Sequence, residues 1–284
     1  MTTLDGASIL VVGATGGLGR HFARQLSDAG ARLTLSSRSM TDLEALGIPG
    51  ERVPIDLTDP AAARTLVASA VTAHGRLDGI IIAAGAVAFG PVADTADDTI
   101  DALWEINAMA PMRILHAAVP SLTESAEQNG APFVVTLSGV VSETPTNGIG
   151  PYSAVKSALA AYVQVAAREL RRSGIRVMDA RPGHTETGLA TRPLAGEAPK
   201  FPTGFDPAAV VQRIVEAIVS DERDLPSTAF SEVPAAASQM VPAEEVSTRT
   251  GAHPAVNMAA RMPLETAESA PGAGSAPSAE PPQQ

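Results

Sequence analysis

The chain has 284 residues, 45% hydrophobic but only 3% aromatic, which is long enough for one large α/β domain plus a tail with a core built from Ala, Val, Leu and Ile. A net charge of −11 argues against nucleic acid or an anionic membrane as the main partner. The absence of cysteine excludes a disulfide framework, a thiolate nucleophile and a cysteine zinc site.

No Lys or Arg precedes Arg20, so the start lacks the basic region of a secretory signal. The longest nearly apolar run, 79–90, falls short of the roughly 20 residues that span a bilayer. A soluble, cytoplasmic protein is expected. The first predicted element is a buried strand over 8–12, followed by a glycine-rich turn and a helix over 18–29 that ends at Gly30. Strands follow at 32–37 and 53–55, and then a helix over 61–73 behind Pro60. A fully apolar strand at 79–84 fits a parallel sheet covered on both faces. Further on come one long helix over 97–127, a strand at 133–137, a helix over 151–172 ending at Gly174, a strand at 175–180 and a helix over 207–219. A short strand near Leu225 is expected to close the sheet.

Alternating strands and helices predict an α/β fold, a Rossmann-type doubly wound parallel sheet of six to seven strands. The domain boundary is expected at Pro226, giving a domain over 1–226. Residues 227–284, rich in Ala, Pro, Ser and Glu with Phe230 as the one aromatic, are expected to form a mostly disordered tail.

Two motifs carry the chemistry. In Gly13-Ala14-Thr15-Gly16-Gly17-Leu18-Gly19, glycines between a strand and a helix let backbone approach a pyrophosphate at the helix N-terminus. The second strand ends Ser36-Ser37-Arg38 with no acid before Asp42, so Arg38 is placed to meet a 2′-phosphate, favouring NADP(H) over NAD(H). The second motif is Tyr152 and Lys156, which share a helix face at i and i+4. A phenol beside an ammonium can work as one acid–base unit. In a helix, Pro111 deprives the Asn107 carbonyl of its N–H partner, leaving an acceptor able to hold water.

With Asp56-Leu57, Ala83-Ala84-Gly85, Asn107 and Pro182-Gly183-x-x-x-Thr187 added, the chain resembles a short-chain dehydrogenase/reductase over about 8–190. The resemblance implies that Asp56 and Leu57 meet the adenine, and that Ala83, Ala84 and Gly85 pass its ribose. It implies that Pro182, Gly183 and Thr187 line the nicotinamide. Tyr152 would be the general acid in reduction, and Lys156 would hold the nicotinamide ribose and lower the tyrosine pKa. Asn107 would bind a relay water. It also implies a homodimer or homotetramer packed through the helices over 97–127 and 151–172.

Two positions depart from the family pattern. Ala83 replaces an asparagine, and the serine expected thirteen residues before the tyrosine is Gly139. Ser138, its neighbour, is taken as the replacement, with Ser142 in the same loop. The segment 184–205 reads as a lid, and its Leu189, Leu194, Phe201 and Phe205 suggest a mainly apolar alcohol or carbonyl substrate. His184 and Arg192 are available there for a polar substrate group. The expected activity is hydride transfer between NADP(H) and that substrate. A cofactor-binding regulatory protein on the same fold is the alternative, favoured by Gly139. An epimerase or dehydratase is disfavoured because the tail does not resemble a substrate domain.

Overall fold

The structure, a computed structural model, describes residues 2–237. Apolar runs with no polar alternation form the central strands β1 (Ser8–Val12), β4 (Gly79–Ile82) and β5 (Phe133–Leu137), since helices cover both faces. With β2 (Arg32–Ser37), β3 (Glu51–Pro54) and β6 (Arg176–Ala180) they make one parallel sheet in the order β3-β2-β1-β4-β5-β6. The order reverses between β1 and β4, and in open α/β sheets ligands bind beyond the strand ends at such a switch point.

The helices divide between the faces. α1 (Gly19–Asp28) and α7 (Pro207–Val219) bury Phe22, Leu26, Val210 and Ile214 on one side. α3 (Ala62–His74), α5 (Ala110–Glu127) and α6 (Gly150–Leu170) bury Leu66, Ile114, Leu122 and Leu159 on the other. α7 starts where Asp206 accepts a bond from the Ala209 N–H at 3.1 Å and Pro207 takes the first turn.

Several elements differ from expectation. A short helix, α2 (Met40–Ala45), was not anticipated; Ser39 caps it by accepting from the Asp42 N–H at 3.2 Å. The helix expected over 97–127 comes in three pieces: α4 (Asp97–Trp104), a π-helical turn (Glu105–Met109) and α5. Pro111 at the head of α5 has no N–H to give Asn107, and the Ala110 N–H reaches back five residues to Glu105. The closing strand at Leu225 reduces to a single parallel bridge with Ala180.

The boundary expected at Pro226 falls short. Residues Ser227–Phe230 form a 3₁₀ turn, and Phe230 is 0% exposed within the α1–α7 core. Further on, residues 234–236 pair with the end of the lid: the Asp206 N–H donates to Pro234 O at 2.9 Å and the Ala236 N–H to Gly204 O at 2.8 Å. The rest of the expected tail lies outside the described residues. Among the described residues no helix is long and apolar enough to cross a membrane.

Candidate active site

The cleft opens at the switch point. After β1 the chain turns through Gly13, and the Gly16 N–H closes the turn onto Gly13 O at 2.9 Å. α1 then starts without a side-chain cap and without an acid in its first turn. Gly17 faces Thr187 so closely that a Cβ there would lie 2.3 Å from the Thr187 Cβ. The lid segment beyond β6 therefore rests on the glycine turn, and any side chain at 17 would push it away. Arg20 donates to the carbonyls of Thr15 at 3.2 Å and Gly16 at 3.3 Å, adding positive charge beside the turn. A bare glycine turn, an uncapped helix start and a nearby cation together fit a dinucleotide pyrophosphate.

The other predicted cofactor contacts line the same edge. Arg38 is exposed just past β2, with no hydrogen bond or ion pair to another described residue. Asp56 is exposed past β3, where one carboxylate oxygen accepts from the Thr58 N–H and hydroxyl, both at 2.9 Å. Leu57 packs against the α3–α5 core. Ala83, Ala84 and Gly85 follow β4, half-buried, and Pro182, Gly183 and Thr187 follow β6. Leu18 begins α1 and packs against the α1–α7 core.

At the chemical end, the first turns of α6 put Tyr152 and Lys156 on one face. The Lys156 ammonium lies 5.6 Å from the centre of the Tyr152 ring and donates to Leu137 O at 2.8 Å. Asn107, in the π turn, donates from Nδ2 to Ala86 O and Leu103 O, both at 3.0 Å, and accepts from the Ala86 N–H at 3.3 Å. Its side chain thus staples the loop after β4. Gly85 sits between the two groups: a Cβ there would lie 3.2 Å from Asn107 Oδ1 and 3.6 Å from Lys156 Nζ.

Burial dominates both titrating groups. It pushes the Tyr152 phenol up to about 12. It pushes Lys156 down to about 8, against the pull of Asp179. In the protein alone, then, the tyrosine is raised rather than lowered, because burial disfavours the phenolate.

Ser138 does not face the cleft as a free hydroxyl. It is 1% exposed, its hydroxyl donates to Asp179 Oδ2 at 2.5 Å, and it lies 3.0 Å from Ser142 Oγ. Ser142 in turn donates to Gly139 O at 2.7 Å. Gly139 itself has φ +81° and ψ 166°, a region essentially restricted to glycine. The missing serine is therefore written into the backbone: space exists, with the nearest atom to a Cβ being Pro182 O at 3.6 Å, but the conformation resists a side chain.

A charge network centred on buried Asp179 and Arg181 lies behind this loop, and the sequence alone did not show it. Asp179, 2% exposed on β6, also accepts from the Thr136 hydroxyl at 2.8 Å and the Ser138 N–H at 3.2 Å. Arg181 donates to Asp179 at 3.2 Å, to Glu143 at 2.5 Å and to Asp224 at 2.6 Å. Glu143 accepts from the Ser227 hydroxyl at 2.5 Å, tying the loop to the segment past Pro226. The available signal was an acid inside the otherwise apolar run of β6.

The lid is fastened to the loop after β4: the Leu194 N–H donates to Val87 O at 2.8 Å and the Phe89 N–H to Ala195 O at 2.9 Å. Tyr152 and Ala195 pack against a cluster of Ala88, Leu103 and Val155, and Ala88, Leu103 and Ala195 also line a cavity of about 290 Å³ with Phe89, Pro91 and Pro151. Its polar edge is Asp94, Thr95 and Thr99. His184 stacks on Phe201 with ring centres 4.6 Å apart and lies 3.3 Å from Glu186. Arg192 donates to Gly188 O at 3.2 Å. Among the described residues no cluster of histidine and acidic side chains could hold a metal ion.

Comparison with known proteins agrees with this geometry. A family model described as short chain dehydrogenase matches residues 7–197. Mouse (Mus musculus) dehydrogenase/reductase SDR family member 7B is 28% identical over 245 residues, covering 80% of this chain and 75% of its own. A metagenomic short-chain oxidoreductase solved in complex with NADP is 25% identical, with TM-score 0.64, over 79% of this chain and 97% of its own. A short-chain dehydrogenase/reductase from Burkholderia phymatum, solved in complex with NAD, shares the fold at TM-score 0.69 and 21% identity, over 80% of this chain and 90% of its own. With the glycine turn, the Tyr152–Lys156 pair and these matches in agreement, the chain belongs to the short-chain dehydrogenase/reductase family and is an NAD(P)-dependent oxidoreductase.

Proposed function

We propose that the chain interconverts an alcohol and a carbonyl on a small, mainly apolar substrate, preferring NADP(H). The observation that carries this reading is the meeting of Lys156 and Asn107 around Gly85 at the strand ends, with Tyr152 beside Lys156. When bound, the reduced nicotinamide supplies the hydride that reaches the carbonyl carbon. Tyr152, neutral well past physiological pH, is in the form that donates a proton to the carbonyl oxygen. Lys156 is protonated below about pH 8, so at neutral pH its ammonium can hold ribose hydroxyls and stabilise a phenolate once Tyr152 has given up its proton. Asn107 fixes the loop that carries Gly85, and its own carbonyl, four residues before Pro111, is the acceptor for a relay water. Ser138 supports the site by anchoring the Leu137–Gly139 stretch to β6, while no hydroxyl at 139 orients the substrate. Ala88, Leu103 and Ala195 favour an apolar substrate body.

The NADP(H) preference rests on Arg38, exposed and unengaged where an acid would select a 2′-hydroxyl. A cytoplasmic homo-oligomer is part of the same proposal. Trp104, Met109 and Val165 are exposed on α4, the π turn and α6, the surface on which a second copy would pack. The inward turn of Ser138 and the glycine at 139 favour one rival, a cofactor-binding regulator with little turnover.

The test is a titration with NADPH and NADH, followed by turnover on apolar aldehydes and ketones, for the wild type and Tyr152→Phe. NADPH is expected to bind at least about tenfold tighter than NADH, through the 2′-phosphate contact of Arg38. Tyr152→Phe is expected to keep that binding and lose roughly 10²-fold or more in kcat. Tight NADPH binding with no turnover in the wild type would establish the regulator instead.

A further inference from the structure

Opposite charges bracket a single peptide group beside the catalytic pair. The Leu137 carbonyl accepts from Lys156 Nζ at 2.8 Å, and the N–H of the same peptide, that of Ser138, donates to Asp179 Oδ1 at 3.2 Å. In a planar trans peptide the C=O and N–H point opposite ways, so its dipole aligns with both charges. Two hydrogen bonds and one peptide's width put the ammonium and the carboxylate no more than about 8 Å apart. Four donors converge on that carboxylate: the Ser138 N–H, the Ser138 and Thr136 hydroxyls, and Arg181. Burial pushes the Asp179 carboxyl up, and these four donors act against that burial in favour of the anion.

We propose that Asp179 is the counter-charge of Lys156, acting through the Leu137–Ser138 peptide, and so a positioning residue that keeps the ammonium of the catalytic pair charged. The inference rests on the Tyr152–Lys156 reading above. Few other charges compete. From its own helix Lys156 faces Tyr152. Arg181, just past the end of β6, is shared among Asp179, Glu143 and Asp224. Glu143, after β5, is taken up by Arg181 and Ser227, and Glu105, in the π turn, by Arg113. At an effective dielectric constant near 20, a charge about 8 Å away shifts a titration by about 1.5 pH units. The burial that drives Lys156 down is offset from this same residue.

The chain contains two lysines, Lys156 and Lys200. Full-length protein labelled with carbon-13 at lysine Cε therefore gives two resonances, assigned with Lys200→Arg. Asp179→Asn is expected to lower the Lys156 midpoint by about 1.5 units. The alkaline pH at which NADPH affinity falls is expected to move with it. Asp179→Glu, which keeps the charge, and Thr136→Val, which removes one hydrogen bond but no charge, are expected to leave the midpoint within a few tenths of wild type. Should Asp179→Asn not fold, Asp179→Ser is the second neutral variant and must move the midpoint the same way. A Lys156 midpoint unmoved in a folded neutral variant overturns the inference. The resonance is read without turnover, so the two readings fail separately. Full turnover by Tyr152→Phe would sink the proposed mechanism alone, and an unmoved midpoint beside a dead Tyr152→Phe would sink this inference alone.

Discussion

Burying Lys156 carries a pH-dependent cost. Its pKa falls from 10.5 to about 8, so between those values the folded protein holds fewer protons than the unfolded chain. Stability therefore rises with pH across that window, and the cost is fully present below about 8. At 1.36 kcal/mol per unit the cost is about 3 kcal/mol, from which the lost bond to Leu137 takes back about 1. Lys156→Met is accordingly expected to unfold at higher urea than wild type at pH 7, by about 1–2 kcal/mol, with the advantage gone above about pH 10.5, while turnover is lost. A variant less stable than wild type at pH 7 would refute this. The Tyr152–Lys156 pair was legible in the sequence because four residues of helix set their relation. The direction of Ser138 was not, because Asp179, the group that turns it inward, lies 41 residues away. Gly139 was legible as a departure, but its cause, a backbone region costing other residues about 1–3 kcal/mol, shows only in the fold.

Among the elements, the strands came out of the sequence well because β1, β4 and β5 are apolar without alternation and are bounded by turns. Helix interruptions did not: Pro111 signalled one, but the π turn that absorbs it depends on Asn107 reaching Ala86 across to the loop after β4. The segment past Pro226 was misread for a reason of composition. One aromatic among many Ala, Pro and Ser averages to disorder, yet Phe230 is buried in the α1–α7 core, with Ala229 and Val233 packed against it. Phe230→Ala is expected to cost about 3–5 kcal/mol in urea unfolding. A stop after Pro226 is expected to be worse, since it also removes Ser227 from Glu143. A Phe230→Ala variant within 1 kcal/mol of wild type would show that this turn is an appendage (~3 kcal/mol being the least a buried ring should cost).

At the scale of the molecule, a parallel sheet with helices on both faces follows from the alternation of strands and helices, and with it a cleft at the strand ends, while the strand order is a finding of the fold. Assembly is less directly written. Trp104, the one tryptophan, is 39% exposed on the face expected to pack against a second copy. Wild type is expected to elute as a dimer or tetramer by light scattering, and Trp104→Glu as a monomer, with Trp104 emission shifting red on dissociation. A monomeric wild type would remove the expectation.

The pairing of residues 234–236 with the foot of the lid also bears on the order in which the protein is made. Chains fold from the N-terminus as they emerge during synthesis. The glycine turn, the strands β1 to β6 and helix α6 leave the ribosome before the strip that holds Gly204 and Asp206 in place. A nascent chain can thus assemble its sheet with Thr187 not yet pressed onto Gly17, and the cleft acquires its finished shape only as residues 234–236 arrive.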